Sequence, residues 1–241
     1  MYFEPGAGFL RPENCIQANL ELACANGAEL HKGEKVVGII PSSSGEGVKI
    51  CSESREYFAE KVIITAGPWV SRFMPDRYAS LFQAHRQTQY WFDVSKTYER
   101  FKDMPIFINV SNFIYGFPPS DGPDGGMKVA SETEDPVDPD NVKRMVSSRE
   151  IEKIYNEKIK NFIPGLGPVC VKALTCLYTN TPDRWFVVDV HPDHPQVFFA
   201  SPCSGHGAKH SQAIGETVTE LAMYDKTTLD IGPFSFERFQ V

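Results

Sequence analysis

Apolar positions along the chain fall mostly into short runs, separated by turn residues, and only three stretches carry a helical period. Val36-Val37-Gly38-Ile39-Ile40 predicts a strand, as does the run from Gly45 to Cys51, with Ser42-Ser43-Ser44-Gly45 turning between them. Lys61 to Gly67 (KVIITAG) is a continuous apolar run ending in small residues, the pattern of a strand buried on both faces. Pro68-Trp69-Val70 then opens a short helix. From about Ala84 to Lys128 the character changes. Gln87–Val94, Pro105–Val110, Phe113–Phe117 and Gly126–Ser131 are aromatic and β-branched runs whose spacing predicts an antiparallel sheet. Asp135 to Asp140 is a loop, and after Pro164-Gly165 three further strands are expected at Val169–Tyr178, Trp185–Val190 and Val197–Ala200.

The helical stretches are distinct. Pro12 opens the first, Ile16, Leu20 and Ala23 form its stripe, and Gly27 stops it. The second, Ser148 to Phe162, puts Ile151, Ile154, Tyr155 and Ile159 on one face. The third carries Ile214, Val218 and Leu221 and reaches about Asp225. It follows the stretch Ser201–Glu216 (SPCSGHGAKHSQAIGE), in which a buried strand ends in a small-residue turn and a helix begins within a few residues. Gly205 and Gly207 can adopt positive φ and let another group approach the backbone. The helix start offers unpaired N–H groups, so the turn suits a flat, partly anionic ring. A glycine-rich connection without a ligand is the equal alternative.

Composition narrows the classes. A chain of 241 residues fits one large or two small domains, and a net charge of −7 without a basic cluster argues against nucleic acid. No apolar run approaches the roughly 18 residues of a membrane span, and MYFEPGAGFL does not have the form of a secretory signal. Six scattered cysteines without a CxxC pair fit a reducing, cytoplasmic setting. Gly6-Ala7-Gly8 follows no strand and has Arg11 where a dinucleotide loop needs a third glycine, so it reads as a turn. His191 and His194 flank Asp193, and His206 and His210 are four apart, but neither pair has the spacing and third ligand of a zinc site; no metal is predicted. Lys128 and Lys209 lie in turns or strand ends, where a cation could hold a carboxylate or polarise oxygen, or could equally be a surface lysine. Tyr115, Tyr178 and Cys176 taken singly read as core or rim residues.

In order, FEPGAGFLRPENCI, KVIITAGPW, IYGFPPSDGPDGGMK, LTCLYTNTPDRWFVVDVHPDHPQV and CSGHGAKHSQAIGE resemble the monomeric sarcosine oxidase family. These are FAD-dependent amine oxidases of the D-amino-acid-oxidase type, with N-methyltryptophan, pipecolate and fructosyl-amino-acid oxidases among their relatives. The resemblance implies an α/β (α+β) fold: part of a glutathione-reductase-like FAD-binding domain at 1–83, an antiparallel substrate domain at 84–170, and a return to the FAD domain at 171–241. It implies FAD as cofactor, covalently bound through Cys176, and oxidation of a secondary amine or N-substituted amino acid by oxygen, giving imine or aldehyde and hydrogen peroxide. By position, Lys128 matches the oxygen-activating lysine, Tyr115 and Tyr178 line the substrate pocket, and Lys209 pairs with the substrate carboxylate. Gly205, His206 and Gly207 match backbone against the flavin, and Val36, Ala66 and Gly67 match positions near the adenine and its phosphates.

Three departures from the family pattern refine this. Glu132 replaces a histidine found in sarcosine oxidases and resembles the fructosyl-amino-acid branch. Ala208 and His210 replace the aromatics around Lys209, implying a roomier, more polar pocket. The family's GxGxxG unit and its carboxylate-binding arginine precede the matched region, so the chain corresponds to the C-terminal two-thirds of such an enzyme. The expectation is therefore that the isolated chain holds FAD weakly, shows no turnover, and self-associates or takes a second chain through an open sheet edge at 61–66. A non-catalytic binding module that no longer holds FAD is the alternative from another class, and a histidine metal site is the third.

Overall fold

Each of these runs forms a strand in the computed structural model, which describes residues 2–240. The strands are β1 Val36–Pro41, β2 Val48–Ser52, β3 Glu56–Ala59, β4 Val62–Ile64, β5 Gln83–Phe92 and β6 Phe107–Asn109. β7 Ile114–Phe117, β8 Met127–Ser131, β9 Cys170–Asn180, β10 Val187–His191 and β11 His194–Ser201 follow. The α-helices are α1 Pro12–Ala25, α2 Asp76–Ala79, α3 Tyr98–Phe101, α4 Ser148–Ile154 and α5 Ser211–Tyr224. The chain divides into two units, one of Met1–Phe9 with Ala84–Tyr178 and one of Leu10–Gln83 with Thr179–Val241.

The first unit is built on a five-stranded sheet of order β6-β7-β8-β5-β9. The β5–β8, β6–β7 and β7–β8 pairings are antiparallel, as the run spacing predicts. Period-two alternation separates its faces: Tyr90, Phe92, Met127 and Val129 pack against Ile154, Ile159, Ile163 and Leu166 from α4 and the turns after it. α4 starts at a capping box, Ser147 and Glu150 each satisfying the other's backbone N–H. Tyr155–Ile159 continues it as a π-helical turn, so the predicted face of Ile154 and Ile159 is kept although the pitch changes. The expected boundary at 171 lies inside β9. That strand hydrogen-bonds to β5, which is why it stays with the first unit through Tyr178.

In the second unit β11 is the centre of a β10-β11-β4 sheet, antiparallel to β10 and parallel to β4. Alternate residues of β11 serve two cores. Val197 and Phe199 meet Val70, Tyr78 and Phe82, whereas Phe198 and Ala200 meet Val218, Leu221 and Ala222 of α5. An antiparallel β1-β2-β3 sheet adds Val48 to the first of these cores. β3 had no run to announce it, because it is four residues long with Phe58 pointing outward. Two expectations need correcting. β4 is not buried on both faces: it is three residues long, pairs only with β11 among the described residues, and leaves Ile63 39% exposed. α1 forms where predicted, between Pro12 and the left-handed Gly27, but its stripe is left largely open: Ile16 is exposed, Leu20 is half-buried, and no residue of the helix is buried.

Candidate active site

The face of the five-stranded sheet opposite the α4 core carries polar and aromatic side chains in two neighbouring rows. In one row Trp91 of β5, Lys128 of β8 and Phe117 of β7 stand directly across from one another. Lys128 Nζ lies 5.4 Å from the Trp91 ring centroid and 4.9 Å from that of Phe117, so the ammonium sits against two π-faces. Lys172 of β9 lies against the same indole at 4.6 Å. Two residues along, Gln89, Ala130 and Tyr115 form the second row.

β9 brings its own side chains to this face. The Gln89 amide donates from Nε2 to Cys176 Sγ at 3.5 Å, and the Tyr115 and Tyr178 hydroxyls are 3.5 Å apart. Burial pushes the Cys176 thiol up, while the Lys128 charge and the Gln89 amide draw it down. Burial also raises both phenols, Tyr178 the more strongly, and the charge of Glu132, just beyond β8, adds to this. Both tyrosines therefore stay un-ionised at neutral pH and act as hydrogen-bonding groups. Of the residues singled out from sequence, Tyr115, Lys128, Glu132, Cys176 and Tyr178 thus share one face. Gln89, Trp91 and Phe117 belong with them. The signal for Gln89 and Trp91 was the alternation in QTQYWF, which marks Gln87, Gln89 and Trp91 as one side of a strand.

In the second unit the glycine turn follows β11. Gly205 is left-handed, at φ +93°, but Gly207 is not: its φ is −73°. The expectation of positive φ at both is corrected for Gly207, whose requirement is room. A Cβ on it would lie 1.8 Å from the carbonyl oxygen of Pro202. His206 Nε2 meets Ser204 Oγ at 3.2 Å, and its ring lies 4.7 Å from that of Phe186. A 3-10 turn, Ala208–His210, precedes α5 and carries Lys209 at an exposed position. Ala66 and the left-handed Gly67 (φ +53°) follow β4, and an added Cβ on Gly67 would meet open space. Val36 is the exposed first residue of β1, outside the β10-β11-β4 sheet. The His191 and His194 rings lie 4.7 Å apart, tilted by 50°, but among the described residues no group of three His, Cys, Asp or Glu is arranged to hold a metal ion.

Most of the chain is similar to known proteins. Residues 1–221 match the family model of FAD dependent oxidoreductases. The chain is 36% identical over 243 residues to monomeric sarcosine oxidase of Streptomyces avermitilis, covering 98% of this chain and 62% of that protein. It is 30% identical over 250 residues to N-methyl-L-tryptophan oxidase of Escherichia coli, covering 99% of this chain and 63% of that protein. The chain thus spans a little over three-fifths of the length of these relatives. NikD, an unusual amino acid oxidase of nikkomycin biosynthesis, superposes with a TM-score of 0.75 over 92% of this chain and 59% of its own, at 20% identity, which establishes likeness of fold. No described helix is long and apolar enough to cross a membrane.

Proposed function

The chain belongs to the FAD dependent oxidoreductase family, and from that premise we propose that, completed with an N-terminal FAD-binding segment, it carries out the oxidation of a secondary amine or N-substituted amino acid, with oxygen as acceptor and hydrogen peroxide as product. The observation that carries the reading is the sheet face on which Cys176, Lys128, Tyr115 and Tyr178 lie beside one another. That donor set fits a flavin rather than a metal: it offers one thiol, one ammonium and two un-ionised phenols.

FAD, when bound, supplies the two-electron acceptor for the amine. The chain's own residues take the remaining roles. Cys176 is the covalent attachment point. Lys128 places a cation where negative charge develops on oxygen, and the two rings beside it restrict where that cation can go. Tyr115 and Tyr178 orient the amine through their hydroxyls. Lys209 pairs with the substrate carboxylate. Gly205, His206 and Gly207 hold the flavin ring, and Val36, Ala66 and Gly67 serve its adenine and phosphates in a domain of the glutathione-reductase-like type. Glu132 beside the tyrosines, with Ala208 and His210 around Lys209, favours a substrate bulkier and more polar than sarcosine. The decisive experiment is acid precipitation of the flavin-loaded protein. Flavin should stay with the pellet and appear as added mass on a peptide containing Cys176; complete release of flavin by acid would refute the attachment.

A further inference from the structure

A half-buried thiol in an apolar setting is an inert sulfhydryl, because burial disfavours the thiolate that reacts. Cys176 is half-buried, yet its surroundings are not those of an inert thiol. The Gln89 amide points an N–H at Sγ over 3.5 Å, and Gln89 shares its row of the sheet face with Tyr115, whose hydroxyl faces that of Tyr178. Gln89 itself stands opposite Ala130, a methyl group that makes no claim on the amide, and next along its strand face to Trp91. Cys203 is a useful contrast within the same chain. It too is half-buried, and its side chain has only Ser201 beside it to offset burial.

We propose that Gln89 is a positioning residue for Cys176: its amide fixes the sulfur between the two rows of the sheet face and stabilises its anion, making the thiol a usable nucleophile. This deepens the reading of Cys176 as the flavin attachment point and rests on it. Gln89 touches the reacting sulfur only as a donor, and it neither gives up nor receives a proton itself. Thiolate formation sends the proton to solvent, and the Lys128 ammonium supplies the compensating charge.

The test is the pH dependence of iodoacetamide alkylation of the full, flavin-free chain, followed cysteine by cysteine by peptide mass. In each reaction an Sγ–C bond forms, iodide leaves, and the thiol proton passes to buffer. In the unaltered chain Cys176 should titrate at lower pH than Cys203. In Gln89→Met, which keeps the length but cannot donate, the Cys176 midpoint should rise by about one unit, a tenfold loss of thiolate at neutral pH. In Gln89→Glu, which keeps the shape but brings a like charge, it should rise at least as far. Cys170 and Cys203 should be unmoved. A purely structural role would change the limiting rate of Cys176 and leave its midpoint where it was. An unchanged midpoint in both variants overturns the proposal. Should a variant open the fold, all cysteines would accelerate together, and the unaltered chain then decides: a Cys176 midpoint at or above that of Cys203 overturns it. Failure of flavin to attach would leave these profiles untouched and count against the cofactor reading alone.

Discussion

The hydroxyls of Tyr115 and Tyr178, from β7 and β9, meet at 3.5 Å on a face where burial raises both phenols. Absorbance titration of the phenolate band should therefore show a group of tyrosines that resists ionisation well above the ordinary value of about 10. Tyr178→Phe should remove one member of that late group. If the late amplitude is the same in the variant, Tyr178 does not sit in the environment described.

Lys128 and Lys209 lie in different units, and the proposed function gives them different tasks. In flavin-loaded protein, Lys128→Met should slow reoxidation by oxygen while leaving anaerobic reduction by substrate largely intact. Lys209→Met should weaken substrate binding, by roughly 1.5–3 kcal/mol, the value of a hydrogen bond to a charged group. Stopped-flow traces of each half-reaction separate the two, and an oxygen step of normal speed in Lys128→Met would remove that residue from the scheme.

Arg86 Nη1 donates to Glu150 Oε1 at 2.7 Å, while Ser147 donates to Oε2 through both its backbone N–H and its hydroxyl. Burial works to raise this carboxyl, but Ser147 and then Arg86 hold it down to about 2, from an ordinary 4.5. A depressed carboxyl stabilises the fold at pH above its unfolded value, and that contribution is lost as pH falls through 4.5 towards 2. Glu150→Gln should cost about 2 kcal/mol at neutral pH. The denaturation curves of the two proteins should converge as the solution is acidified. Parallel curves down to pH 2 would show that the carboxylate is not held as described.

Gly205 and Gly207 should respond differently to alanine. At 205 the penalty is the left-handed backbone, about 1–2 kcal/mol. At 207 the new methyl meets the Pro202 carbonyl, and the turn must shift. Gly207→Ala should therefore destabilise at least as much, and should also disturb the His206 and Lys209 positions, visible as weaker flavin binding. Equal flavin affinity in the two variants would argue that the turn does not touch the cofactor.

Most strands were legible because alternation and turn residues agree locally: QTQYWF and MKVAS read as strands and are strands. Position on a sheet face was legible too, but neighbours were not. Nothing in the sequence says that Gln89 rather than Gln87 faces Cys176, since that depends on the register of β5 against β9, which no local pattern specifies. Nor did sequence distinguish the two glycines of the turn, because left-handed backbone and lack of space select the same residue. β4 misled for a related reason. An apolar run reports what a strand could bury, and Ile63 shows that the described chain does not cover it.

The bare stripe on α1 has a consequence for how the protein moves. A helix of 14 residues with no buried side chain has little to hold it beyond its end signals and local bonds such as Gln17 to Glu21, and a side-chain tie to α5 from Gln212 to Asn19 at 3.1 Å. Its amide protons should exchange with solvent orders of magnitude sooner than those of β11, and a glutamate-specific protease should cut at Glu13 or Glu21 before it touches any of the three sheets. The exchange rate of α1 therefore reports directly on whether anything lies across Ile16 and Leu20.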